Sequence, residues 1–309
     1  MTCETKIAIL LATYNGEKYI EEQIDSLFKQ SFQDFTIYVH DDGSSDSTKD
    51  IIDKIQRDNP DKLFVLEGPP TGGPKQNFMY LLKNVSADYY MFCDQDDVWK
   101  PKKIDVTYSK MVEAEKKNLS SPILVFSDLE VVDSKLKTIS NSMNKVQQLN
   151  PDKVRLNDIL CQNNITGCTV MINKELAKLS INTFNIENVI MHDWWIALIA
   201  SRYGKIIYCA EQTILYRQHG KNNVGAKSII SLDYILKRLS NIQELKETID
   251  KTRIQAEEFC DCFGIKDNEL IYEYSILSEK NKIERLSFYI RYKVWKSGFI
   301  RNIGFLLFG

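Results

Sequence analysis

Three carboxylates fall within four residues, Asp94, Asp96 and Asp97, in the stretch Cys93-Asp94-Gln95-Asp96-Asp97-Val98-Trp99. Carboxylates packed this closely repel one another and hold their protons more tightly unless a cation sits among them. Hard divalent ions such as Mg2+ and Mn2+ take a few carboxylates together with phosphate oxygens, so an Asp-x-Asp triplet suggests a clamp for a metal-bound diphosphate. An ordinary acidic turn would carry the same letters. A second pair, Asp41-Asp42, lies in His40-Asp41-Asp42-Gly43-Ser44-Ser45-Asp46. Gly43 permits a tight turn and the serines can cap a following helix, which leaves only the two adjacent aspartates unaccounted for. One of them could accept hydrogen bonds from a base or a ribose.

The elements around these residues place them at one edge. Lys6–Ala12 reads as a fully buried strand, Phe35–His40 as a second, Leu63–Leu66 as a third and Tyr89–Cys93 as a fourth. Between them, Tyr19–Lys29 and Ser47–Asn59 carry apolar residues at helical spacing, and a further helix is expected near Gln76–Lys83. Such alternation predicts a parallel sheet with helices on both faces. Ligands then collect at the carboxyl ends of the strands, which selects Thr13–Gly16, Asp41–Asp46 and Asp94–Asp97. Further along, short strands are expected at Leu124–Ser127, Thr169–Ile172, Ile206–Cys209 and Ile214–Tyr216, with helices near Lys153–Cys161 and Asp193–Ser201. From Ser231 long charged helices take over, with apolar positions at Leu232, Ile235, Leu236, Leu239 and Ile242. The boundary falls near 225–230, giving expected domains 1–228 and 229–309.

Composition sets the limits. The chain has 309 residues, 43% of them hydrophobic and 27% charged, enough for a sizeable core in one large domain or two. Forty Lys and Arg against 42 Asp and Glu give a net charge of −2, which argues against nucleic acid as a partner. Seven scattered cysteines with no CxxC pair predict reduced thiols and a cytoplasmic setting. The first residues lack a signal-peptide pattern, and no apolar run approaches the ~18 residues that a spanning helix requires.

Taken together, Leu11-Ala-Thr-Tyr-Asn-Gly16, Val39-His-Asp-Asp-Gly-Ser-Ser-Asp46 and Asp94-Gln-Asp-Asp97 resemble the nucleotide-binding domain of family 2 glycosyltransferases, over roughly residues 5–225. The CDQDDVW variant, with Tyr216-Arg-Gln-His-Gly-Lys-Asn-Asn-Val-Gly225, is similar to the bacterial rhamnosyltransferase branch. The resemblance implies a Rossmann-like α/β fold of GT-A type, with a mostly parallel central sheet and a C-terminal helical extension. It implies that Ala12 and Tyr14 line the base and ribose, that Asp42 accepts from the pyrimidine imide, and that Asp94 lies near ribose and metal. Asp96 would hold Mg2+ or Mn2+, His219 would approach the metal, and Lys75, Asn77 and Arg217 would reach the donor. Asp193, in Met191-His192-Asp193-Trp194-Trp195, would be the base that deprotonates the acceptor hydroxyl while also capping its helix. Gly167 and Cys168 would form a small-residue turn beside the acceptor.

The implied activity is an inverting transfer of L-rhamnose from dTDP-rhamnose to a saccharide or lipid-linked saccharide. A UDP-hexose or UDP-N-acetylhexosamine donor, a nucleotidyltransferase and a non-catalytic assembly subunit are the alternatives. One segment stands apart. From Lys282 to Gly309 six basic residues face a single acid, Glu284, and Phe288, Tyr292, Trp295, Phe299, Ile303 and Leu306 fall on one helical stripe. That predicts a peripheral contact with the inner face of the cytoplasmic membrane, or docking on the domain or on a second subunit of a homodimer.

Overall fold

The computed structural model describes residues 5–182, 185–219 and 242–309. Strand β1 (Thr5–Thr13) forms its spine, because Ile7–Leu11 are five consecutive apolar residues, all fully buried, and both faces of such a strand must be covered. It pairs in parallel with β2 (Phe35–Asp41) and β4 (Ala87–Asp94), while β3 (Leu63–Val65) pairs in parallel with β2. Register matters here: Thr13 lies opposite Asp41 and Ala12 opposite Asp94, so three carboxyl ends stop in one line. Helices α1 (Ile20–Phe28), α2 (Thr48–Asp58) and α3 (Pro74–Asn84) make the crossovers.

Beyond β4 come β5 (Val98–Trp99), α4 (Lys103–Lys117), β6 (Ile123–Val132), β7 (Thr138–Ser140), α5 (Met143–Val146) and α6 (Leu156–Ile159). They are followed by β8 (Met171–Asn173), α7 (Lys174–Ser180), α8 (His192–Tyr203) and β9 (Lys205–Arg217). Among the described residues the strand order is β3-β2-β1-β4-β8-β6-β9-β5, with β7 beside β6. Here the sheet turns mixed: β8 runs antiparallel to β4 and β6, whereas β9 is parallel to β6. Alternating residues of β1 feed two cores. Ala8 and Leu10 pack with α3 and α8, whereas Ile7, Ile9 and Leu11 pack with α1 and α4.

Several elements differ from expectation. The two strands expected at 206–209 and 214–216 are one strand, because β9 absorbs its polar Glu211-Gln212 in register shifts against Ser127–Glu130. The helix expected over Lys153–Cys161 shrinks to α6. A 3₁₀ turn at Gly167–Thr169 delays β8 to Met171.

The C-terminal region forms α9 (Ile242–Phe263), α10 (Leu270–Ser275), α11 (Lys282–Tyr292) and α12 (Phe299–Phe308). No single helix carries the aromatic stripe, since Lys293 adopts left-handed φ 54° and Gly298 φ 84°. Phe288 and Phe305 turn into the same core as Phe92 and Trp195, while Phe299 is 80% exposed. Among the described residues no helix is long and apolar enough to cross a membrane. The expected boundary at 225–230, the 220–225 loop and the helix start at Ser231 lie outside the described residues.

Candidate active site

The edge expected to meet a nucleotide is built from the loops after β1 and β2. Ala12 is buried at its strand end and Tyr14 next to it is 56% exposed. The loops are tied together: Asn15 donates its N–H to Ser44 Oγ (2.8 Å), and its Oδ1 accepts from Ser45 N–H (2.9 Å). Asp42 donates its N–H to Thr13 O at 2.9 Å. Its Oδ1 accepts from the Thr71 N–H, from Thr71 Oγ1 (2.7 Å) and from Gly72 N–H (3.1 Å), which fixes the carboxylate at the rim. Gln95, between the first two aspartates of the acidic triplet, carries no signal in the sequence. Its Oε1 accepts from Tyr14 N–H (2.8 Å) and Thr13 Oγ1 (2.5 Å), and its Nε2 donates to Tyr14 O (2.9 Å). A Cβ on Gly16 would collide with Gln95 Oε1, so a side chain there would push the Gln95 amide off the Tyr14 main chain.

The acidic cluster sits one step inward. Burial, then Asp96 and Asp193, push the Asp94 carboxyl up to about 7, and burial with the other two aspartates pushes Asp97 up as well. Asp97 is fully buried; Arg217 N–H donates to its Oδ1 (3.1 Å), while its Oδ2 has no hydrogen-bond partner. Oxygens of Asp94 and Asp97 and the Cys168 sulfur lie within 4.8 Å of one another. Burial drives the Cys168 thiol well above its ordinary value, so it stays protonated, with one S–H to offer to either Asp94 or Asp97. The oxygen donors fit a hard divalent cation; the thiol does not add to them. His219 Nε2 donates to Asp96 Oδ2 at 2.6 Å, slightly closer than the ~3 Å between neighbouring ligands of an octahedral ion. Below lies Lys103, 1% exposed, its ammonium 4.5 Å from the Trp99 ring and without a hydrogen-bond acceptor. Burial holds its pKa down at about 8. Sequence gives no sign of it, because Pro101-Lys-Lys103 reads as a solvated turn.

Asp193 lies at the other side of the cleft, in the first turn of α8. Met191, not Asp193, is the N-cap residue, and Asp193 Oδ1 accepts from Trp194 N–H at 2.6 Å. Gly167 N–H and the Asn163 side chain also donate to the carboxylate, yet burial outweighs them and raises it to about 7. The Asn163 amide has one orientation: its Oδ1 accepts from Ile165 N–H (3.0 Å), which leaves Nδ2 for Asp193. A Cβ on Gly167 would come 3.0 Å from His192 Nε2, so a larger residue in the turn would press on the start of the helix. His192 is buried against Phe78 and Phe92, and burial lowers it to about 3, leaving a neutral ring. Trp194 donates its indole N–H to Ile159 O (2.7 Å), and Trp195 is entirely core. The loop before α8 is propped by α9. Glu258 accepts from Asn185 N–H (2.7 Å) and Asn188 Nδ2 (2.8 Å), and Gln255 Oε1 accepts from Ile190 N–H (2.9 Å).

Three expected donor contacts point elsewhere. Asn77 is 2% exposed and spends its amide on His40, Oδ1 facing Nδ1 at 2.9 Å and Nδ2 donating to the carbonyl at 3.1 Å. Lys75 donates to Ile186 O (2.7 Å) and Val189 O (2.8 Å), holding the loop before α8. Arg217 has a side chain only 3% exposed and donates to Asp96 O (2.9 Å), Ser134 O (2.9 Å) and Glu22 (2.5 Å), with Tyr19 stacked at 4.6 Å. It therefore braces the acidic loop from behind. Ala12, Tyr14, Asp42, Asp94, Asp96, Asp193 and His219 remain at or beside the strand ends and the α8 start.

Comparison with known proteins gives a consistent picture. The family model described as Glycosyl transferase family 2 matches residues 8–177. A dTDP-rhamnosyl transferase, RfbG of Shigella flexneri, is 31% identical over 243 residues, 75% of this chain and 79% of that protein. WfgD of Escherichia coli, a UDP-Glc:alpha-D-GlcNAc-diphosphoundecaprenol beta-1,3-glucosyltransferase, is 25% identical over 68% of this chain and 76% of its own. Among solved structures, Staphylococcus aureus TarS (residues 1–349) superposes with TM-score 0.57 at 21% identity, covering 93% of this chain and 78% of that one. The mannosyltransferase PcManGT of Pyrobaculum calidifontis, in complex with GDP-Man and Mn2+, does so with TM-score 0.53 at 14% identity, covering 99% and 86%. The fold is thus of GT-A type with added C-terminal helices.

Proposed function

Because the chain belongs to glycosyl transferase family 2, and is by that a glycosyltransferase, we propose that it moves L-rhamnose from dTDP-rhamnose to a growing bacterial surface polysaccharide, with inversion. The observation that carries this reading is the line of Thr13, Asp41 and Asp94 at three strand ends, facing a buried, proton-hungry Asp193. Asp193 takes the acceptor hydroxyl's proton as its oxygen attacks the anomeric carbon opposite the diphosphate. Tyr14 covers the base, Asp42 accepts from the pyrimidine imide N–H, and Asp94 meets the ribose. Asp96, with His219 beside it, would hold Mg2+ or Mn2+, which supplies charge neutralisation for the departing diphosphate. A lipid-linked acceptor agrees with a peripheral seat on the cytoplasmic face of a membrane, through the apolar surface of α11 and α12. The donor is supported by the likeness to RfbG. The likeness to WfgD, whose name carries UDP-Glc, keeps UDP-hexoses as the second reading.

A panel of dTDP-, UDP- and GDP-sugars, assayed for hydrolysis and transfer with Mn2+ or Mg2+, decides between them. Turnover confined to dTDP-rhamnose supports the first reading; preference for a UDP-sugar replaces it with the second.

A further inference from the structure

The C-terminal helices enclose a second cleft, of about 500 Å³, lined by Lys246, Asp250 and Arg253 of α9, Ser278, Arg285 of α11 and Leu307 of α12. Lys246, Asp250 and Arg253 repeat at i, i+4 and i+7, so one face of α9 supplies the wall. Three cations meet one carboxylate there. Asp250 takes one donor of Arg253 (Nη1, 3.1 Å) and Tyr289 OH takes another (Nη2, 3.0 Å). Arg253 is 4% exposed, and its Nε has no hydrogen-bond partner; the buried Nε of Arg285 has none either. Burial raises the Tyr289 phenol, and the charges of Arg253 and Arg285 each work against the rise.

A phosphate group offers what this cleft lacks, several anionic acceptors in the geometry that guanidinium donors match. The surroundings specify which phosphate. Leu307 continues into an uncharged face of α12 on which Phe299 is 80% exposed, Ile300 47% and Ile303 41%. A free anion gains nothing from that surface, whereas a lipid presents a charged head and an apolar body together.

We propose that this cleft seats the phosphate of an anionic membrane lipid while the Phe299–Leu307 face of α12 enters the headgroup–acyl boundary. The proposal rests on the peripheral-membrane reading above and is independent of the donor sugar. It is tested with the full chain in co-sedimentation against phosphatidylglycerol and phosphatidylcholine vesicles, and by calorimetry with inorganic phosphate. Wild type should bind phosphatidylglycerol selectively. Arg285→Gln and Lys246→Gln, both outside the buried core, should each weaken that binding about five- to tenfold. Lys116→Gln, an exposed change on α4, should not, and all three should keep wild-type transfer to a soluble acceptor. Equal binding by Arg285→Gln and wild type would overturn the cleft while leaving the membrane reading intact. Failure of wild type to bind either vesicle would overturn both. Phosphate binding that Arg285→Gln abolishes, with vesicle binding unaltered, would overturn the lipid as occupant.

Discussion

The Gln95 amide clasps both sides of the Tyr14 main chain, accepting from its N–H at 2.8 Å and donating to its carbonyl at 2.9 Å. The loop that carries the acidic triplet and the loop after β1 are thus tied together.

Gln95→Ala should therefore weaken nucleotide binding although Gln95 touches no nucleotide in the proposed pose. Losing two hydrogen bonds that hold Tyr14 should cost about tenfold in affinity. Gln95→Glu should be no better, since it sets a carboxylate oxygen against the Tyr14 carbonyl. Calorimetry with dTDP and UDP measures both; unchanged affinity would mean that Tyr14 is placed without Gln95.

Asp193 must be ionised to accept a proton, and burial raises its pKa to about 7. The ionised fraction, and with it kcat, should fall about tenfold for each pH unit below 7 and level off above it. Asp193→Asn should lose about two to four orders of magnitude in transfer and flatten the acid limb, while nucleotide binding survives. Near-normal turnover in that variant would remove Asp193 from the mechanism.

Arg217→Gln should leave Glu22 and the carbonyls of Asp96 and Ser134 without their shared donor. A loss of about 1–3 kcal/mol is expected in a thermal melt, together with a weaker response to added Mn2+. Arg217→Lys should recover little of it, because an ammonium cannot reproduce the guanidinium fork. A variant with normal stability and a loss confined to donor KM would instead favour a direct diphosphate contact.

Removing divalent ions with EDTA should abolish transfer, and returning Mn2+ or Mg2+ should restore it. Asp96→Asn should shift the metal titration to higher concentration, and His219→Ala should shift it less. Transfer indifferent to EDTA would argue against the part given to Asp96.

How much of the molecule is legible in its sequence follows from the range of each interaction. Strand ends and turns are local events, so Thr13–Gly16, Asp41–Asp46 and Asp94–Asp97 stand out, and a parallel sheet aligns them. Destinations of long polar side chains are not local. Asn77 and Lys75 sit near the motifs in sequence, but one faces the core and the other a loop more than 100 residues away. Asn163 and Gln95 look like loop filler, and only folding brings each onto its partner. The C-terminal stripe keeps strict helical spacing, yet Gly298 and the left-handed Lys293 divide it between two helices.

Glu258 and Gln255 of α9 hold the backbone at Asn185 and Ile190, just ahead of Asp193. The stretch matched by the family model ends at residue 177, well short of both props. A protein cut just ahead of α9 would keep the strand ends, the acidic triplet and Asp193 while leaving those amides without their acceptors. The unit that fixes the backbone ahead of Asp193 is therefore longer than the family signature, and α9 is part of it.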